Sequence, residues 1–100
     1  MTTKTKAKPR KCSPNPYVVY AYFPARLAFT PAGDAKEKFL HSLARECGGK
    51  EEGSGTGGAF RDVSFGFKTR QDAKRFLGKL AKHKIKRGSI VDQTKPPYCD

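Results

Sequence analysis

The chain has 100 residues, a formal net charge of +12 and a hydrophobic content of 36% that includes seven phenylalanines and four tyrosines. That length suits one domain with a modest core, and no apolar run approaches the ~18–20 residues that a membrane-spanning helix requires. The basic N-terminus leads into proline and asparagine instead of an apolar segment, so we expect no secretory signal and a cytoplasmic location, with the nucleoid or nucleus as alternatives.

The positive charge lies in two blocks. Residues 1–33 carry six lysines and arginines and no acid, and residues 63–91 carry nine with Asp72 as their one acid. Residues 34–62, between these blocks, carry five against six acids. A surface charged only for solubility would more often mix both signs, so this segregation indicates a polyanionic or acidic partner.

The sequence predicts a basic disordered arm at residues 1–16, one domain at 17–93 and a proline-rich tail at 94–100. The first strand is predicted at residues 17–23, YVVYAYF, which are β-branched and aromatic and are followed by Pro24. Either set of alternating side chains could face the core. One set is Val19, Ala21 and Phe23, and the other is Val18, Tyr20 and Tyr22.

A helix is predicted next, capped by Asp34 with Glu37 three residues further on, which is the spacing of a capping box. Its apolar stripe comprises Phe39, Leu40, Leu43, Ala44 and Cys47. Gly48 and Gly49 end it. The following segment, KEEGSGTGGA, has no large apolar side chain, so it predicts at most a poor edge strand and a flexible hairpin loop at residues 50–58.

A strand with one buried face is predicted at residues 60–68, FRDVSFGFK, because apolar and polar residues alternate there. Thr69 then caps a second helix, with Asp72 three residues further on as its partner in a capping box. The core stripe of this helix is Ala73, Phe76, Leu77, Leu80 and Ala81. Gly88 breaks the chain before a short last strand, SIVD.

This order of elements predicts an α+β fold. We expect a ferredoxin-like split β-α-β arrangement, in which an antiparallel sheet carries two helices on one face. The second strand is the weak member, and three strands and two helices remain if it fails to pair.

The second helix and its continuation form the main candidate site. Lys74, Arg75, Lys79 and Lys82 fall within roughly 140° of arc opposite the apolar stripe, with no nearby acid to relieve their mutual repulsion. We expect this surface to bind phosphates, and the alternative is an ordinary solvated helix face. The candidate residues of this segment are Arg70, Lys74, Arg75, Lys79, Lys82, Lys84, Lys86 and Arg87.

Two further sets of residues are candidates for nucleic-acid contact. The arm supplies Lys4, Lys6, Lys8, Arg10 and Lys11. A solubilising tail, an expression remnant or a localisation signal would have the same composition. Tyr20 and Tyr22 could stand on the open sheet face and stack on unpaired bases, each worth ~1–3 kcal/mol. Amphipathic sheet or core positions are the alternative for both tyrosines.

Residues 62–77, DVSFGFKTRQDAKRFL, resemble the third strand and second helix of the RNA-recognition motif. That family has exposed aromatic residues at two positions of the strand where this chain has Asp62 and Ser64, so we infer no membership. The segment GSGTGG matches G-x-G-x-x-G, but a strand is predicted after it where a dinucleotide site needs a helix.

We expect this protein to have no enzymatic activity, no cofactor and no metal site. The chain has no arguable pair of catalytic carboxylates, HExxH segment, nucleophile elbow or Ser-His-Asp grouping. Acylphosphatases have a similar size and predicted fold, but Arg26 lies in a segment without their loop glycines. The three cysteines have no close-spaced pair suited to zinc, so free thiols are expected, although a Cys12–Cys99 bridge remains open.

The sequence therefore favours a small basic nucleic-acid-binding protein, largely independent of base sequence, that contacts phosphates through the cationic helix and the arm. The alternative is a protein-interaction module, such as a phage- or mobile-element-type regulator or inhibitor, whose basic helix docks an acidic protein. DNA and RNA, single and double strands, and the oligomeric state are not distinguished.

Overall fold

The structure is a computed structural model that describes residues 13–95. In chain order its elements are β1 (Tyr17–Pro24), a 3₁₀ turn (Ala25–Leu27), α1 (Pro31–Glu46), β2 (Lys50–Gly57), β3 (Phe60–Phe67), α2 (Arg70–Lys82), β4 (Lys86–Arg87) and β5 (Val91–Asp92). An antiparallel sheet with two helices is the predicted α+β fold.

The sheet has the order β2-β3-β1, and the short strands β4 and β5 both pair with the remaining edge of β1. The central pair, β1 and β3, keeps one register from Tyr17 opposite Phe67 to Pro24 opposite Phe60. This order is compatible with the predicted ferredoxin-like arrangement, with its last strand divided into two short pieces.

Both helices pack on one face of the sheet. The core cluster combines Val19, Ala21, Phe23, Val63, Phe65 and Phe67 of the sheet with Leu40, Leu43, Ala44, Cys47, Ala73, Phe76 and Leu80 from α1, α2 and the residue after α1. Leu77 packs against its margin. The prediction that Phe39 and Ala81 belong to this core is wrong, since both are exposed at the flanks of their helices.

The two helices begin at threonine caps. The Oγ1 atom of Thr30 accepts a hydrogen bond from the Gly33 amide at 3.1 Å, and Pro31 takes the first helical position. The prediction of Asp34 as the cap is therefore wrong, and Asp34 lies in the first turn instead. The predicted cap of α2 is confirmed, because Thr69 Oγ1 accepts from the Asp72 amide at 3.1 Å.

The glycine-rich segment forms a complete edge strand. All of β2 except Glu52, where the register shifts, pairs with β3, and only Gly58 and Ala59 connect the two strands, with Gly58 at φ +59°. Residues 50–57 are therefore the weak second strand of the predicted fold, whose pairing the sequence left open, and the hairpin connection is limited to Gly58 and Ala59.

Polar side chains, not apolar burial, hold β2 in place. Arg61 is 8% exposed, and its guanidinium donates to Thr56 Oγ1 at 3.0 Å, to Ser54 Oγ at 3.3 Å and to Glu37 Oε2 at 2.8 Å. One buried side chain thus connects β2 to β3 and to α1.

Candidate nucleic-acid interface

The sheet face away from the helices, called the open face below, carries the even-numbered residues of β1. Tyr20 lies opposite Ser64 and Tyr22 lies opposite Asp62 in the register with β3. The alternate residues of β1 enter the core. Of the two alternations that the sequence allowed, the one with both tyrosines away from the core is therefore the one observed.

Three aromatic side chains on the open face, Tyr20, Tyr22 and Phe60, form what we call the aromatic row. The rings of Tyr20 and Tyr22 are 6.5 Å apart between centroids and inclined by 18°. Phe60, which is 38% exposed, meets Tyr22 edge-on at 6.4 Å. The Lys86 ammonium lies 5.2 Å from the centre of the Phe60 ring. Flat rings can stack on unpaired bases, and a neighbouring cation can contact the phosphates of the same strand.

Sequence reasoning missed Phe60 as a member of this site. A signal was available, because Phe60 shares its alternation with Asp62 and Ser64, two residues that were expected on the polar side of the strand. The pairing of Lys86 with Tyr22 in the β4–β1 register had no local signal.

Other parts of the open face are covered. Val18 is 2% exposed and Ser64 is 6% exposed. The backbone of Asn15 lies so close to Gly66 that a Cβ added there would stand 2.6 Å from the Asn15 carbonyl oxygen, so only glycine fits this position. The segment before β1 therefore crosses the open face at the end of the sheet away from Phe60.

One part of the open face is acidic. A shallow depression of about 370 Å³ beside Tyr20 is lined by residues that include Glu52, Asp62, Ser54 and Ser64. Carboxylates repel phosphate, so this part does not suit a nucleic-acid backbone. Any phosphate near the aromatic row is better placed on the side of Lys86.

Ion pairs engage three of the predicted helix cations. Arg70 contacts Asp92 at 2.8 Å, Arg75 contacts Asp72 at 3.2 Å, and Lys79 contacts Glu46 at 2.9 Å. The expectation that no acid lies near this helix face is therefore wrong. Glu46 comes from the end of α1, and only the packing of the two helices brings it to α2.

The other predicted cations of this segment are exposed and, within residues 13–95, take part in none of the observed ion pairs. They are Lys74, Lys82, Lys84, Lys86 and Arg87. Three of them follow the end of α2, so the free positive charge is displaced from the helix face toward β4. The candidate residues of the arm, Lys4, Lys6, Lys8, Arg10 and Lys11, lie outside the described residues.

Among residues 13–95, two ionisable groups have a shifted pKa. Burial raises the pKa of the Cys47 thiol, although Arg75 and Lys79 oppose that shift. Hydrogen bonds from the side chain and backbone of Thr94 lower the pKa of Asp92, which also faces Arg70. Both environments favour the protonation state usual near neutral pH, so neither group is prepared for proton transfer.

Within the part of the chain that the structure describes, no group of three histidine, cysteine or acidic side chains is arranged to hold a metal ion. No helix among the described residues has the length and apolar content needed to cross a membrane. Comparison of the chain with family models, with curated proteins and with solved structures gives no match.

Proposed function

We propose that this protein binds single-stranded nucleic acid, with unpaired bases on the aromatic row and the phosphate backbone along β4. The observation that supports this most is the position of Tyr20, Tyr22 and Phe60 on one sheet face with Lys86 beside the last ring. Side chains of this kind recognise bases through their flat faces, so they bind with little dependence on sequence.

The spacing of the rings favours a single strand over a duplex. Tyr20 and Tyr22 are 6.5 Å apart, whereas successive nucleotides of a duplex strand rise by about 3.4 Å. Bases that stack on both rings must therefore separate from each other. A paired strand would expose its phosphates and groove edges to the row instead of its base faces.

The charged residues beside the aromatic row limit where the phosphate backbone of a bound strand can lie. Lys86, Lys84 and Arg87 lie on the β4 side, and Asp62 and Glu52 lie on the β2 side. Phosphates are therefore expected along β4. Asn15 lies on the open face, so the basic arm that precedes it joins the domain on the proposed binding side and can add phosphate contacts.

The test is the affinity for a fluorescent single-stranded oligonucleotide, measured by anisotropy. Loss of a stacking ring costs ~1–3 kcal/mol, so Tyr22→Ala and Phe60→Ala should each weaken binding about 5- to 150-fold. Phe29→Ala is the matched control, because Phe29 is 81% exposed but packs beside Arg61 and is not part of the row. It should leave the affinity within twofold.

Salt dependence separates phosphate contact from stacking. Each phosphate neutralised on a single strand contributes about −0.7 to the slope of log affinity against log salt. Lys86→Gln should therefore make the slope less steep by about one such increment, and Tyr22→Ala should leave the slope unchanged. Wild-type protein that binds neither DNA nor RNA would contradict the proposal and favour the acidic-protein partner.

A further inference from the structure

A groove of about 380 Å³ lies at the end of the sheet, where the last residues of β1 meet α1 and the chain after α2. Tyr22 and Phe60 line its sheet side, and Phe39 and His83 line its helix side. Phe39 is 42% exposed, and its ring contacts the His83 ring edge-on at 4.9 Å. The groove has the size of a small-molecule site and offers aromatic surfaces on two sides.

Three lysines from three different parts of the chain line this groove. Lys36 belongs to α1, Lys84 follows α2, and Lys86 belongs to β4. Among residues 13–95, no acidic side chain lines the groove. Glu37, the neighbour of Lys36 in α1, is held by Arg61 at 2.8 Å. The charge of the groove therefore complements an anion, and its walls complement an aromatic ring.

The backbone at Lys84 determines how the chain leaves α2 beside the groove. Lys84 has φ +58°, in the left-handed region that glycine usually occupies at a helix end. Its amide donates to Ala81 O at 3.0 Å, and the Ile85 amide donates to Leu80 O at 2.9 Å, which are the two hydrogen bonds of a Schellman motif. This turn ends α2 and leads the chain into β4, so that Lys84 and Lys86 both line the groove.

We infer that the groove binds one nucleotide, with its base against Phe39 and its phosphate among Lys36, Lys84 and Lys86. The inference extends the proposed function, since Tyr22 and Phe60 belong to both the groove and the aromatic row. The nucleotide can be free in solution or can be the phosphorylated end of a bound strand. Both sources present the same ring and phosphate.

The first experiment titrates ¹⁵N-labelled protein with adenosine monophosphate and, separately, with adenosine. The monophosphate should shift the amides of residues 36–40 and 83–86, and adenosine should bind at least tenfold more weakly. Lys36→Glu and Phe39→Ala should each weaken binding of the monophosphate at least tenfold. Lys38→Glu is the matched control, because it is an exposed lysine of the same helix outside the groove, and it should change affinity less than twofold.

A second experiment identifies the source of the nucleotide. If the groove takes a strand end, a 5′- or 3′-terminal phosphate should tighten oligonucleotide binding about tenfold, and Lys36→Glu should remove that gain. If it takes free nucleotides only, the terminal phosphate should have no effect although the monophosphate binds.

Absence of shifts at 36–40 and 83–86 at saturating monophosphate, or equal effects of Lys36→Glu and Lys38→Glu, would overturn the inference. Tyr20 belongs to the aromatic row but does not line the groove. Tyr20→Ala therefore tests the proposed function separately from the groove. Oligonucleotide binding that depends on Tyr20 but not on Lys36 or Phe39 would support the proposed function and show that the groove takes no part in it.

Discussion

Arg61 is expected to be the polar residue on which the fold depends most. Its side chain is 10% exposed, and it satisfies the Glu37 carboxylate and the hydroxyls of Ser54 and Thr56. Removing one partner of a fully buried ion pair costs about 3–5 kcal/mol. Because the Glu37 side chain is 21% exposed and water can rehydrate part of it, we expect Arg61→Met to lower the free energy of unfolding by about 2–3 kcal/mol.

Urea denaturation of Arg61→Met, Glu37→Gln and the double variant measures this coupling. The double variant should be less destabilised than the sum of the two single changes by about 1–2 kcal/mol, since it leaves no unpaired charge. Amides of β2 should also exchange faster in Arg61→Met, because the strand loses two of its anchors. A loss below about 0.5 kcal/mol for Arg61→Met, or additive single effects, would refute the assigned role.

Four further outcomes are expected. Leu80→Ala should lower stability by about 2–5 kcal/mol in urea melts, because Leu80 is fully buried between both helices and the sheet. Burial raises the pKa of Cys47 above its ordinary 9.0, so this thiol should make folding stability fall as pH rises above 9.0. Cys47→Ala should therefore make the fall in stability less steep in melts at pH 8 to 10. Reversal of Lys74 and Lys82 to Glu should weaken oligonucleotide binding, measured by anisotropy, less than reversal of Lys86 does. Deletion of residues 1–11 should weaken oligonucleotide binding in the same assay and make its salt dependence less steep.

The sequence predicted those parts of the fold that depend on local pattern. Alternation in β3 indicated that Phe65 and Phe67 enter the core, and helical spacing placed Phe76 and Leu80 beside them. Thr69 was identifiable as a cap because the next helix begins directly after it. These features follow from interactions between residues close in the chain, so they are readable without the fold.

Features that depend on distant contacts were missed. The β2 strand contains little apolar surface, so nothing local showed that Arg61 would hold it. Lys79 carries a free charge on a helical wheel, yet Glu46 reaches it from α1. Phe60 and Lys86 are far apart in sequence and meet only through pairing of both neighbouring strands with β1. The site that we propose beside β4 therefore depends on contacts between distant residues, whereas the site predicted on the helix face depends on helical spacing alone.

The most direct test of single-strand binding on the open face is a chemical-shift map of ¹⁵N-labelled protein titrated with a short single-stranded oligonucleotide. We predict the largest amide and aromatic shifts at Tyr20, Tyr22 and Phe60 and along β4, with weaker or no shifts for a duplex of the same length. Shifts confined to the exposed face of α2 around Lys74, or equal shifts for single strand and duplex, would contradict the proposal.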